Sequence, residues 1–366
     1  MWSSQQEKAL KAVDKWFFTE SKKKQIFRIF GYAGTGKTTL ATHFAQNIDG
    51  LVIFAAFTGK AALVMKKRGC EGARTIHSLI YIAEQNKKTG EITWRMNKDS
   101  SLKDASLLII DECSMVDKDL AEDLLSFGIP ILVLGDPAQL PPVSGAGYFT
   151  GAKPDIMLTE IHRQAKDNPI VYLASKIREG VYPEHGTYGE SRIVSKIAST
   201  DALNSSQILV GRNATRDNMN IKMRKLLKMN GEYPIQKEKL ICLSNDKDLG
   251  IFNGGIFSVD RVIDTRQKSN FLHMSLYPED DDEGMPVLVK VHKSQFSGEV
   301  SAPNWKLLKG SQQFDFGYAI TCHKSQGSQW DNVLIYDESW CFRDDWQRWL
   351  YTAITRASEK VTLVKN

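Results

Sequence analysis

No apolar run in the 366-residue chain approaches the ~20 residues that a membrane span needs, which excludes a membrane partner from the reading. The N-terminal stretch MWSSQQEKALKAVDK has no apolar core of the signal-peptide kind. Cysteine is sparse: five residues, at 70, 113, 242, 322 and 341, odd in number and without a C-x-x-C pair. Reduced thiols in a cytoplasmic setting are therefore expected. Charge of one sign is also lacking. Lys and Arg total 48 against 43 Asp and Glu, and the net +5 is compatible with a nucleic-acid partner without arguing for one. There are no repeats of solenoid period and no low-complexity tail. What remains is the composition of a soluble globular protein, 42% apolar and 25% charged, long enough for two or three domains with a substantial core.

The most informative stretch is Gly31–Thr38 (GYAGTGKT), a complete G-x-x-x-x-G-K-[ST] phosphate loop. Apolar Gln25–Phe30 before it reads as a strand, and Thr38–Asn47 after it as a helix. Strand, glycine loop and helix in that order let successive backbone N–H groups converge on an anion, with the positive helix end behind them. Gly34, Thr35, Gly36, Lys37, Thr38 and Thr39 are the expected nucleotide contacts, Lys37 reaching the β- and γ-phosphates and Thr38 binding Mg²⁺. Downstream, Leu107–Ile110 reads as a buried parallel strand ending in Asp111-Glu112. Ligands bind at the carboxyl ends of such strands. Asp111 is expected to hold Mg²⁺ and Glu112 to polarise the attacking water. An Mg²⁺-dependent NTPase follows, though not what its hydrolysis drives.

The wider pattern is α/β. Strand candidates at 25–30, 51–56, 107–110 and 130–134 alternate with helices, which predicts a parallel sheet. A second series, Ile156–Leu158, Gln207–Val210, Asn332–Tyr336 and Lys360–Val364, predicts another. Residues 176–180 and the basic, amphipathic 213–229 read as helices. Between about 235 and 310 the texture becomes short β-rich pieces between Gly, Pro and acidic loops, which predicts a small inserted β domain.

Seven further segments sharpen the reading. They are Phe57–Ala62 (FTGKAA), Thr75–Leu79 (TIHSL), Asp111–Met115 (DECSM), Gly135–Val143 (GDPAQLPPV), Leu158–Gln164 (LTEIHRQ), Tyr318–Gly327 (YAITCHKSQG) and Leu350–Ala357 (LYTAITRA). In this order and spacing, from about residue 3 to 366, they resemble the motifs of superfamily-1 helicases in the 5′→3′ branch that holds RecD and the phage helicase Dda.

The resemblance implies two RecA-like domains flanking a nucleotide cleft: residues 1–155, then 156–234 with 311–366, and a small β-barrel-like domain at 235–310. It implies an ATP-dependent DNA helicase that moves 5′→3′ on single strands and unwinds duplexes, in a bacterial or phage-infected cell. Replication or recombination proteins as partners, and action as a monomer, belong to the same expectation. Gln6 resembles the adenine-reading glutamine, Gln139 the γ-phosphate sensor, and Arg163 and Arg356 the two arginine fingers. Phe57, Thr58, Lys60, Thr75, His77 and Ser78 resemble the DNA track of the first domain, and Thr321, His323, Lys324 and Ser325 that of the second. The tryptophans at 305, 330, 340, 346 and 349 offer further stacking surface. Residues 82–97 lie where this branch carries a β-hairpin pin, with a turn at Thr89-Gly90 and Trp94 as the aromatic nearest a strand junction. Phe57 stands where the family has Pro, and Gln329 where it has an acidic residue. A translocase that strips proteins without unwinding would share every motif. A GTP switch is disfavoured because Asn97-Lys98-Asp99-Ser100 fails the N-K-x-D pattern at its fourth position.

Overall fold

A computed structural model of the chain describes residues 2–85, 92–141, 147–160, 168–246, 249–264, 269–279, 285–297, 308 and 310–365. They form two compact units, Met1–Val181 with Gln347–Thr355, and Tyr182–Trp346 with Arg356–Asn366. Among the described residues no helix is long and apolar enough to cross a membrane.

The strands of the first unit are β1 (Ile26–Gly31), β2 (Leu51–Ala56), β3 (Arg74–Thr75), the hairpin pair β4 (Tyr81–Gln85) and β5 (Ile92–Met96), β6 (Ala105–Asp111), β7 (Ile131–Gly135) and β8 (Ile156–Leu158). Six of them make one sheet in the order β3-β2-β6-β7-β1-β8, every pairing parallel. The two-residue period of a strand explains its core. Leu107 and Ile109 face one apolar layer with Phe27, Ile29 and Leu132, under the helices that carry Val13 and Leu40. Leu108 and Ile110 face the other, with Phe30, Ile53 and Val133. A strand buried on both faces reads as a continuous apolar run, which is how β6 stood out.

Ile156–Leu158 departs from expectation. It belongs to the first sheet, paired with β1 from Ile29↔Ile156 to Gly31↔Leu158. Three residues carry too little pattern to announce a partner. The helix Pro169–Arg178, capped by the Asn168 side chain with Pro at its first turn, is also part of the first unit.

The second unit contains β9 (Gly186–Tyr188), β10 (Ser191–Val194), β11 (Gln207–Val210), β12 (Lys239–Cys242), β13 (Ile256–Asp264), β14 (Phe271–Pro278), β15 (Val287–His292), β16 (Phe314–Phe316), β17 (Ala319–Thr321), β18 (Trp330–Tyr336) and β19 (Ala357–Val364). One sheet runs β17-β11-β18-β19-β10-β9, parallel except for the β9 edge. The other, β15-β14-β13-β12-β16, is antiparallel throughout. It lies where the inserted β domain was expected and runs on to Phe316, past residue 310. Its apolar face shares one core with the parallel sheet: Leu240, Met274 and Phe314 pack in the same cluster as Ile208, Val210 and Leu334.

Candidate nucleotide site and strand track

The phosphate loop leaves β1 at Gly31, and there the absence of a side chain is a packing requirement. A Cβ would lie 2.6 Å from Thr35 Oγ1 and 2.9 Å from Leu158 Cβ. Gly34 and Gly36 both hold φ near 78°, the left-handed region open to glycine, and Gly36 caps the helix Lys37–Ala45. The Lys37 ammonium donates to the carbonyls of Gly31 (2.7 Å) and Tyr32 (3.1 Å), folded back on its own loop. The Thr38 hydroxyl donates to Asp111 Oδ2 at 2.7 Å. A hydroxyl and a carboxylate meeting at a strand end form an oxygen donor pair suited to Mg²⁺, which takes one or two protein oxygens and completes its shell with phosphates and water.

Asp111 and Glu112 are set apart by their backbones. Asp111 is buried at the end of β6, and its Oδ1 accepts the Glu112 N–H at 2.8 Å. Burial pushes its carboxyl pKa up, with repulsion from Glu112 adding and the Thr38 bond and Lys37 opposing. Glu112 sits at φ 52°, ψ 46°, a conformation L-residues rarely adopt. Such strain persists only where surrounding structure holds it, often at functional sites.

Gln139 follows β7, is buried, and its Oε1 accepts no hydrogen bond among the described residues. Gln6 is also buried: its amide nitrogen donates to the Thr35 carbonyl (3.1 Å), and its Oε1 accepts the Ser3 N–H (3.0 Å) in a capping box. Neighbouring Gln5 turns the other way, its Oε1 accepting the N–H groups of Thr159 and Glu160. Of the two glutamines, Gln6 faces the phosphate loop.

Four contacts of the site were not anticipated. The Tyr351 hydroxyl donates to Asp136 Oδ2 (2.6 Å) and accepts the loop N–H of Ala33 (2.9 Å). Tyr351 and Asp136 both lie inside segments quoted above, so a signal existed, but nothing local indicates that they meet. Burial raises the pKa of both groups; for Tyr351 the Asp136 charge adds to it, and for Asp136 the Lys37 charge and the Tyr351 bond oppose it. Thr352 receives the Leu140 N–H at 2.9 Å. The Arg178 guanidinium lies over the Tyr32 ring, 3.6 Å from its centroid, with no motif to announce it.

In the first unit's strand segments, Thr58 caps the helix Gly59–Lys67 and Thr75 caps Ile76–Ile80, each accepting a backbone N–H. The Ser78 hydroxyl donates to the Thr75 carbonyl. Lys60 is 3% exposed, a buried lysine and not an open surface cation. Phe57 packs edge-on against His77, centroids 5.6 Å apart, which gives the residue in the proline position a packing role. The hairpin register runs from Tyr81↔Met96 to Gln85↔Ile92, and its base is tied by the Tyr81 hydroxyl to Asp123. Its turn and the Trp94 side chain lie outside the described residues, as do Arg163 and Trp305.

In the second unit, Thr321 ends β17 and opens the turn Cys322–Ser325. Ser325 is fully buried, its hydroxyl donating to the Cys322 carbonyl. Burial lowers the pKa of both His323 and Lys324, and Arg216 adds to the effect on Lys324. The His323 ring packs against Phe342 at 5.6 Å. Arg356 is buried, and its guanidinium donates to the Ser328 carbonyl at 3.2 Å. All five cysteines are free thiols; four are buried and Cys341 is half-buried.

Comparison with known proteins places this geometry. The family described as an AAA domain matches residues 2–198, more than half of the chain, and the UvrD-like helicase C-terminal domain matches residues 316–364. The chain belongs to the AAA-domain family, with a UvrD-like helicase C-terminal segment. The ATP-dependent RecD2 DNA helicase of Deinococcus radiodurans is 28% identical over 90% of this chain and 45% of its own length. The conjugal transfer protein TraA of Rhizobium radiobacter is 25% identical over 85% of this chain and 28% of its own. The chain thus spans less than half the length of these relatives. Among solved structures, Bacteroides Pif1 bound to ssDNA superposes with a TM-score of 0.61 at 19% identity, covering 100% of this chain and 92% of that one. Pif1 helicase from Candida albicans gives 0.60 at 18%, covering 100% and 95%. At that identity the likeness establishes the fold.

Proposed function

We propose that the protein is an ATP-driven DNA helicase that translocates 5′→3′ on single-stranded DNA and opens duplex at single-strand/double-strand junctions. The observation that carries this is the Thr38–Asp111 contact at 2.7 Å beside Lys37, at the carboxyl end of a parallel sheet, in a chain that bears the ordered helicase motifs. In this reading Lys37 and the loop amides bind the phosphates of ATP, and Thr38 and Asp111 hold Mg²⁺. Glu112 orients the attacking water, with the unpartnered Gln139 oxygen available to it. Arg163 and Arg356 supply charge to the γ-phosphate, a contribution of roughly 10³–10⁵ in rate for such an arginine. Gln6 positions the loop and reads adenine by exchanging one of its present bonds.

The strand passes Phe57, Thr58, Thr75, His77 and Ser78 on the first unit and Thr321, His323 and Lys324 on the second. Lys60 and Ser325 act from beneath the track. The hairpin at 82–97 serves as the pin, and the antiparallel sheet that begins within 235–310 and ends at Phe316 as the small barrel-like domain. RecD2, a DNA helicase, and Pif1, solved on ssDNA and at forked dsDNA, support this substrate class. Unwinding of duplexes with a single 5′ or 3′ tail tests the proposal. Loss of the 5′-tailed duplex only is expected. ATP-dependent movement on single strands without duplex loss would make the protein a translocase that strips bound proteins.

A further inference from the structure

The tryptophans do not share one fate. Trp330 and Trp349 are buried at 9% and 0% exposure, whereas Trp340 is 66% exposed. Trp340 stands in the segment after β18, at the carboxyl edge of the second parallel sheet. In that sheet β17, β11 and β18 are consecutive, so the loops that follow them are neighbours. The loop after β17 carries Thr321, His323 and Lys324. The His323–Phe342 contact joins it directly to the Trp340 segment.

Two features make Trp340 more than a stray surface aromatic. First, its surroundings are held in place. The Arg212 guanidinium lies 5.3 Å from its ring centroid and donates through Nε to Glu338 Oε1 at 2.7 Å. Glu338 is anchored in turn by the N–H groups of Gly211 (2.8 Å) and Arg212 (2.9 Å) and by the Thr215 hydroxyl (2.6 Å). Second, Trp340 lines a cavity of about 390 Å³ with Tyr182, Trp346, Asp337, Arg343 and Lys365. That is at the small end of ligand pockets and fits a single base. Arg343 adopts φ 45°, ψ −113°, a strained conformation, and its guanidinium has no partner among the described residues. Lys365 donates to the Pro183 carbonyl and lies over the Tyr182 ring. The set therefore offers ring faces for a base, a free cation for a phosphate, and the Asp337 carboxylate for a base amino group.

We propose that Trp340, backed by Arg212 and flanked by Arg343, is a base-stacking platform that extends the single-strand track beyond the His323 loop. The inference rests on the helicase reading, and a test with oligonucleotides separates the two. A single abasic site is walked along a short single-stranded oligonucleotide, and affinity is measured for wild type, Trp340→Ala and Trp340→Phe. One position is expected to weaken wild-type binding by about tenfold, the value of one stacked base. Trp340→Ala should bind intact oligonucleotide about tenfold more weakly and become indifferent to that position. Trp340→Phe should retain the position dependence. Arg343→Ala should reduce the salt slope of binding by about one phosphate contact.

An abasic profile in Trp340→Ala identical to wild type overturns the platform and leaves the helicase reading standing. An unchanged salt slope in Arg343→Ala overturns the phosphate contact. A wild-type chain that binds no single strand overturns both readings. A free mononucleotide that binds at Trp340 as tightly as the oligonucleotide also overturns the platform, making the cavity an effector site.

Discussion

Glu112 is held in the left-handed region although it is not glycine, and it follows a strand whose last residue, Asp111, already meets Thr38. The strain is tolerable if the carboxylate must point somewhere a relaxed backbone would not send it. Glu112→Gln is expected to keep ATP binding and slow hydrolysis by orders of magnitude, read from single-turnover kinetics; wild-type turnover would remove Glu112 from water positioning. Lys37→Ala should abolish hydrolysis with a nearly unchanged far-UV spectrum and melting curve, since among the described residues its ammonium hydrogen-bonds to carbonyls of its own loop and not to the core. Tyr351→Phe deletes the donor to a buried carboxylate oxygen and should lower stability by about 1–3 kcal/mol, read as a shift in the denaturant midpoint. Lys37, Thr38, Asp111 and Glu112 were legible in the sequence because their chemistry is local: a loop, or the end of an apolar run. Tyr351 with Asp136 and Arg178 with Tyr32 were not, since each pair is joined only by the fold.

At the level of elements, Glu338 fastens the turn from β11 into the helix Asn213–Leu226. Burial would raise its pKa, but the bonds from Thr215, Arg212 and Gly211 reverse this, and the net shift is downward. A carboxylate with a depressed folded pKa adds stability above its unfolded value and loses it as pH falls through the folded one. Acid should therefore loosen this turn below about pH 4. Glu338→Gln should destabilise the protein at neutral pH and flatten the acid limb of a stability–pH curve; a parallel, undiminished acid limb would exclude that role.

Gly211 adds a steric constraint, because a Cβ there would lie 2.8 Å from Glu338 Cβ. β6 was foreseen from its continuous apolar run, and the helix after the phosphate loop from the strand–loop–helix order that motif requires. β8 was assigned to the wrong sheet because three residues cannot specify a neighbour. Lys60 was expected on the strand track by resemblance, and its burial leaves no mark in sequence.

For the whole molecule, the pin proposed at 82–97 and the finger proposed at Arg356 are where coupling is tested apart from chemistry. Replacing the hairpin tip with a short Gly/Ser turn should abolish unwinding while single-strand-stimulated hydrolysis survives. Joint loss of both activities would mean that the segment supports the fold. Arg356→Ala should cut stimulated turnover by about 10³ with little change in nucleotide affinity; lost affinity with normal saturated turnover would contradict a finger role.

The distribution of thiols carries an experimental opportunity. Four of the five are sealed in the interior, and the half-buried fifth, Cys341, adjoins Trp340. Its pKa is raised, chiefly by burial, so alkylation should be slow but confined to one position. Intact mass of the native protein after maleimide treatment should show a single adduct. A dye so attached would report passage of a strand over the neighbouring indole without any engineered cysteine.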